Sequence, residues 1–367
     1  MLCAEMNRKL LVATSKGLVV WDRKGQKEWV VRDVHFQGFP VSVIYADTRH
    51  QVWWAGVSHR HWGQKLHRSF DEGKTWDEMP VPAYPDKAEW RPGKAAVLKK
   101  VWTISSAGPD KPEGLWVGTE PGGLFYSNDY GQSYTLVESL WNMPGRMDPT
   151  QWFGAGRDLP FIHSVVVDPA DSDHVYIAVS CAGIFETTDG GATWAAKNKG
   201  LIAAYLPDPH AEQGHDPHLL LACTSHPNVL WQQNHCGVFR TENGGQHWSD
   251  VSDPGGYVHY GFALAVDESD PLSAWVIPAM SDDQRVPPNL ALRVCRTRDG
   301  GKTWQSLTSG LPGECCFDIV FRHALARQGS CMAFGSTTGN LFFSDNDGDS
   351  WTCLSHVLGR VETVTFA

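Results

Sequence analysis

The sequence predicts an all-β fold, a seven-bladed β-propeller, and three observations carry that expectation. The 367 residues include 17 Trp and 36 Gly, a composition suited to short strands joined by tight turns and packed through large rings. One eight-residue pattern recurs six times along the chain. The two ends carry strand sets that complete one another. A hydrophobic fraction of 42% with only 20% charged residues excludes bulk disorder. A net charge of -10 has the wrong sign for a nucleic-acid partner, and no run of 18 apolar residues is present to cross a membrane as a helix. The nine cysteines form no C-x-x-C pair, and the first residues carry no export signal, so reduced thiols and a cytoplasmic location are expected.

The repeat reads as a hydroxyl residue, any residue, Asp or Asn, any residue, Gly, two further residues and an aromatic. Its copies are Ser69–Trp76, Ser127–Tyr134, Thr187–Trp194, Thr241–Trp248, Thr297–Trp304 and Ser344–Trp351. The Asp or Asn positions are 58, 60, 54, 56 and 47 residues apart. Each copy encodes a hairpin. The acidic or amide side chain accepts from nearby backbone N–H groups, Gly supplies a positive φ, and the aromatic opens the next strand and packs between units. The acidic residues of the repeat are therefore structural.

The pattern resembles the Asp-box, or BNR, repeat. Over its whole length the chain is similar to Asp-box β-propellers: sialidases, xyloglucanase-type glycoside hydrolases, the photosystem II assembly-factor propeller and sortilin-type receptors. Among these it resembles most the bacterial sialidase-like and glycosyl-hydrolase-like propellers of about this length. The resemblance implies the fold and leaves the activity open, since one fold hosts many functions. Sialidases use an arginine triad, a Tyr/Glu nucleophile pair and a separate Asp. Their Phe-Arg-Ile-Pro type string is absent here, the nearest being Gly38-Phe39-Pro40.

Taken in chain order, Leu10–Thr14, Gly17–Trp21 and Trp29–Val31 supply strands B, C and D of a blade that lacks strand A. Six complete units follow. Their C strands lie just before each repeat: Leu66–Ser69, Leu124–Ser127, Ile184–Thr187, Val238–Thr241, Leu292–Thr297 and Leu341–Ser344. B strands include Leu115–Thr119, Val175–Val179 and Val229–Gln233. A strands include Ile162–Asp168, His218–Cys223 and Gly261–Asp267. Val361–Ala367 is then a lone strand A that pairs beside Leu10–Thr14 and closes the ring, removing two exposed sheet edges. The expectation is one domain over 1–367; a six-bladed ring would leave the N-terminal unit over.

In such a ring the starts of the A strands and the ends of the B strands face one mouth of the central channel. Aligned A strands place Ser42, Lys100, His163, His218 and Phe262 there. B-strand ends add Ser15, Glu120, Ser180, His235 and Ser336. The loops before strand A add His35, Trp90, Trp141, Trp152, Arg157, His215 and Tyr260. The B-to-C loops add His59, Arg60, His61, Trp62, Asp282 and Arg285. About half of the 16 histidines fall on this face. The loop from Glu138 to Pro160 is long for a compact domain, as functional loops are.

These residues divide by chemistry. Glu120, His215, Asp282 and Arg285 are the candidates for catalytic acid, base and charge stabilisation. His59, Trp62, Lys100, Trp152, Arg157 and Tyr260 are candidate substrate contacts, with the tryptophans suited to stacking on sugar rings. His163, His218 and His235 are candidate ligands of a divalent metal, Zn, Fe or Mn. A glycosidase would pair Glu120 with a second carboxylate such as Asp158, Asp216 or Asp282. The function expected is a hydrolase-like enzyme acting on a small polar molecule, a sugar or glycoside, at the channel mouth, metal-dependent if the histidines converge. The alternative is a non-catalytic propeller that binds a protein partner or ligand, as its resemblance to the assembly-factor propeller implies.

Overall fold

The computed structural model describes residues 9–25, 28–59, 61–154, 156–253 and 255–367. Seven four-stranded antiparallel sheets form the blades. Blade 1 joins Val361–Phe366 as strand A to Lys9–Thr14, Gly17–Arg23 and Trp29–His35 as B, C and D. The closing strand runs antiparallel to its partner, Leu10 opposite Phe366 and Val12 opposite Val364. Strands A and B of the others are Val41–Asp47 and Val52–His59, Lys100–Ser106 and Leu115–Glu120, Phe161–Asp168 and Asp171–Ser180, Pro217–Cys223 and His226–Asn234, Gly261–Val266 and Ala274–Pro278, and Leu325–Gln328 and Cys331–Gly335. Each A strand touches the A strand before and after it, and the last touches the first, so seven inner strands close around one channel. Expected strand ends differ from the observed ones by a few residues: Trp29–Val31 runs on to His35, and the strand expected from Leu292 starts at Val294.

The core lies between blades. Trp54, Trp116, Trp231 and Trp275, all on B strands, are fully buried. Each such ring removes roughly 200 Å² from water, on the order of 5 kcal/mol of gross hydrophobic stabilisation. Blades 6, 7 and 1 share a single apolar cluster running from Ala263 through Phe334 to Phe366, so ring closure is a packing event as well as a pairing event.

The six repeats form the C-to-D turns. In the first, Ser69 donates to Asp71 Oδ1 (2.8 Å), Gly73 N–H donates to Ser69 Oγ (2.8 Å), and Thr75 donates through N–H to Oδ1 (2.9 Å) and through Oγ1 to Oδ2 (2.7 Å). The repeat Gly has φ between 76° and 92° in all six copies, and the residue before it is also left-handed, including the non-glycines Glu72, Tyr130 and Asp347. A Cβ on Gly131 would come within 2.5 Å of Trp54, so this Gly serves packing as well as backbone. The repeat aromatics are buried only in part: Trp248 and Trp351 are enclosed, while Trp76, Tyr134, Trp194 and Trp304 are half-buried.

A second regularity sits at the opposite ends of the strands. Near its start, strand A of six blades shifts register by one residue against strand B. The residues skipped are Glu362, Ser42, Trp102, His163, His218 and Phe262, in blades 1 to 6. Such a bulge leaves one residue out of the ladder and re-aims its side chain. This overturns one alignment made from sequence: the bulged residue of blade 3 is Trp102, two positions beyond Lys100.

Candidate active site

A cavity of about 240 Å³ opens where the A strands begin. Five of the six bulged residues line it, namely Glu362, Ser42, Trp102, His218 and Phe262. Lys100, Arg157, Asp216, His235, Asp282 and Arg285 join them, with Phe321, Arg322 and His323 from the turn that enters blade 7 and Arg360 beside the closing strand. Trp102 stacks on Phe161 with centroids 4.0 Å apart, forming an aromatic floor with Lys100 Nζ 3.9 Å above the indole.

Asp216 is the most firmly placed charged group. Its Oδ1 accepts from Ser180 Oγ (2.7 Å) and from the N–H of Cys181 (3.1 Å), both on blade 4, while its carbonyl accepts from His235 N–H (2.9 Å) on blade 5. Oδ2 is thereby aimed at His218 Nε2 (3.3 Å) and His235 Nδ1 (3.7 Å). The ligand atoms of these three residues all lie within 4.8 Å of one another. His218 Nδ1 donates to Gly261 O (2.6 Å), so a neutral ring turns a bare Nε2 lone pair toward a carboxylate oxygen. Two acceptors at that distance require a cation between them, a proton or a metal ion. Burial alone would raise the Asp216 pKa; the bond to His218 and the charges of His218 and Arg322 outweigh it, and the carboxyl lies below the usual carboxylate range. Burial, then the neighbouring His218, lowers His235, which favours the neutral ring.

Tetrahedral coordination with bonds of about 2.1 Å puts ligand atoms about 3.4 Å apart, and the observed 3.3 and 3.7 Å bracket that edge. The bond from His218 to the Gly261 carbonyl is the usual outer support of a ligating imidazole. The residues present therefore fit a divalent metal on two nitrogens and one oxygen.

The remaining acids are matched to bases. Glu120 closes strand B of blade 3 directly opposite Lys100. It is buried beside the cavity, accepting from Arg157 Nε (2.6 Å) and Trp102 Nε1 (3.2 Å). Asp282 is bound to Arg285 and accepts from Tyr260 OH (3.1 Å). Tyr260 itself is buried edge-on to both His218 and His235. Glu362 meets Lys100 (3.6 Å) and Arg360.

The structure therefore gathers Lys100, Arg157, His218, His235, Asp282 and Arg285 in the cavity, with Glu120 and Tyr260 against its wall. It separates the others. His163 is fully buried, with Nε2 donating to Pro217 O (2.8 Å) and Nδ1 engaged by Ser164 Oγ (2.9 Å), so the third member of the cluster is Asp216 in its place. His215 is buried, and its Nε2 donates to Ala211 O (2.7 Å), away from the cavity. Trp152, in the long loop before blade 4, is fully buried and donates to Gln213 Oε1 (2.8 Å) of the loop before blade 5, so it offers no stacking face. His59 and Trp62 border a different cleft with Phe36, Phe39 and His67. Arg60 lies outside the described residues.

Trp102, Arg322, His323 and Glu362 escaped the sequence reading, although a signal existed. Phe321-Arg322-His323-Ala324 has the form of Phe161-Ile162-His163-Ser164, and Val361-Glu362-Thr363 has that of Val101-Trp102-Thr103.

Fold and site together define a seven-bladed β-propeller with a polar cavity at one end of its channel. Xyloglucanases stand among its relatives. The chain is 27% identical over 265 residues to a xyloglucanase of Acetivibrio thermocellus, covering 65% of this chain and 28% of that protein. It is 27% identical over 230 residues to an oligoxyloglucan-reducing end-specific xyloglucanase of Emericella nidulans, covering 60% and 24%. The chain thus matches about a quarter of the length of these curated relatives. No protein-family model matches it. Among solved structures, the xyloglucanase of Xanthomonas campestris aligns with a TM-score of 0.62 at 18% identity, over 94% of this chain and 52% of that one. YCF48 of Cyanidioschyzon merolae aligns with a TM-score of 0.53 at 14% identity, over 93% and 94%. At these identities the structural likeness is one of fold.

Proposed function

We propose that the protein is an enzyme acting on a small sugar or glycoside at the channel mouth, with a divalent metal, Zn, Fe or Mn, held by Asp216, His218 and His235. The observation that supports this reading is the convergence of those three ligand atoms on the wall of a cavity floored by the Trp102–Phe161 stack. Bound there, the metal would supply Lewis-acid activation of water or of a substrate oxygen. Lys100 and Arg157 beside Trp102 supply donors to sugar hydroxyls. A carboxylate-pair glycosidase is a poorer match. Glu120, Asp282 and Glu362 are each already engaged by a cation, so no two of them stand free as an acid and base pair. The xyloglucanase relatives favour a carbohydrate substrate class.

Plasma mass spectrometry of the purified protein tests the reading. Metal should be present at about one equivalent, and D216N, H218A and H235A should each lose it while keeping the native circular dichroism spectrum. Hydrolysis of aryl glycosides should fall with chelation. Absence of metal from protein loaded with each ion in turn would remove the metal from the proposal.

A second reading, a propeller that binds a partner or ligand without catalysis, is favoured by the cleft of Phe39, His59 and Trp62, where Trp62 is 74% exposed. Under that reading W62A abolishes function and H218A does not.

A further inference from the structure

Five cations line the cavity, Lys100, Arg157, Arg285, Arg322 and Arg360, against three carboxylates, in a chain whose net charge is -10. Four of them are accounted for. Arg157 is paired with Glu120, Arg285 with Asp282, and Lys100 and Arg360 share Glu362.

Arg322 is different. Among the described residues it makes no hydrogen bond and no ion pair, and its Nε is shut off from solvent with no acceptor. Three aromatic rings hold its guanidinium, with the central carbon 5.1 Å from the centroid of Phe161, 5.4 Å from Phe262 and 5.5 Å from Trp102. Cation–π contacts compensate for part of the lost water but fill none of the five N–H donors. Burial lowers its pKa to about 10, which leaves the group charged at neutral pH. A charged guanidinium that feels Asp216 only through space and makes no hydrogen bond or ion pair among the described residues, set on the wall of a cavity, is a ready oxyanion receptor.

We propose that Arg322 binds an oxyanion, a carboxylate or a phosphate, and that the ligand of this cavity is an acidic sugar derivative carrying that group. The proposal rests on the reading of the cavity as a sugar site and narrows its substrate class. A volume of about 240 Å³ suits a single-ring molecule, being below the roughly 300–1,000 Å³ of sites for larger ligands.

Isothermal titration calorimetry with glucuronate, glucose 6-phosphate, glucose and inorganic phosphate tests it, on protein as purified and after metal removal. Glucuronate or glucose 6-phosphate, according to which group the site takes, should bind at least about tenfold more tightly than glucose and weaken as salt rises. R322M should weaken that binding by roughly thirtyfold or more, and R322K should recover part of it. R322Q serves should R322M fail to fold, and metal content is measured alongside. Equal affinity for glucose and the acidic sugars, or acidic-sugar binding unchanged in R322M and R322Q, overturns the inference and leaves the sugar reading standing. Arg322-dependent binding of inorganic phosphate with no sugar bound upholds the oxyanion site and removes the sugar reading. No binding of any probe overturns both.

Discussion

His163 and His218 occupy the same bulged position in adjacent blades, yet their rings meet different surroundings. The His163 ring satisfies the Pro217 carbonyl and Ser164, whereas His218 keeps one nitrogen toward Asp216. Replacing His163 by Leu orphans a buried carbonyl, so H163L should lose about 2 kcal/mol of stability by urea denaturation and, under the proposed metal site, still bind metal. H218L should lose the metal. A metal-free H163L that remained folded would contradict the assignment of ligands. The backbone position was visible in the sequence for both residues. Which ring is a strut and which faces a carboxylate depends on the neighbouring blade, 54 residues away for the Pro217 carbonyl.

At the scale of the element, four of the six C-to-D turns, those of Asp71, Asp129, Asp189 and Asp299, tie their shape to an ionised side chain. Asp71, Asp189 and Asp299 are held near pKa 2, each by backbone and side-chain bonds from the Thr four residues on. Their folded values lie below the unfolded one near 3.8, so the stabilisation they contribute is present above pH 4 and is lost as pH falls toward 2. The melting temperature of the wild type should therefore drop between pH 4 and 2 more steeply than that of a D71N/D189N/D299N variant. Asn already fills this place at Asn243 and Asn346, whose Oδ1 accepts the same bond from the backbone N–H four residues on (3.0 Å in both). Identical slopes would show that the turns do not titrate as a set. These turns were legible because all their partners lie within eight residues. The A-strand bulges were not. They are register events between two strands, and only pairing shows that Trp102 and Glu362 are the residues turned out of the ladder.

At the scale of the molecule, the ring depends on Val361–Phe366 pairing with Lys9–Thr14. Val364 is buried in the cluster that joins blades 6, 7 and 1. A carboxylate there has no partner, and V364D should cost roughly 3 kcal/mol or more, with faster amide exchange along Lys9–Thr14 than in the wild type. Native exchange in that strand would mean that closure contributes little. The same closure carries Arg360 and Glu362 into the cavity, so a ring that opens also loses two of the residues that line it.

By itself the sequence determined the number of blades, the turns and the closing strand, because repeat spacing, Asx turns and alternating apolar positions are local properties that recur along the chain. It also placed His218, His235, Asp282 and Arg285 at one mouth, since antiparallel order puts A-strand starts and B-strand ends together. Only the tertiary structure decided that Asp216 completes the cluster and that Arg322 makes no hydrogen bond or ion pair among the described residues. Both depend on distances between side chains of different blades, a few ångströms across the channel, and on which donors and acceptors other residues had already taken.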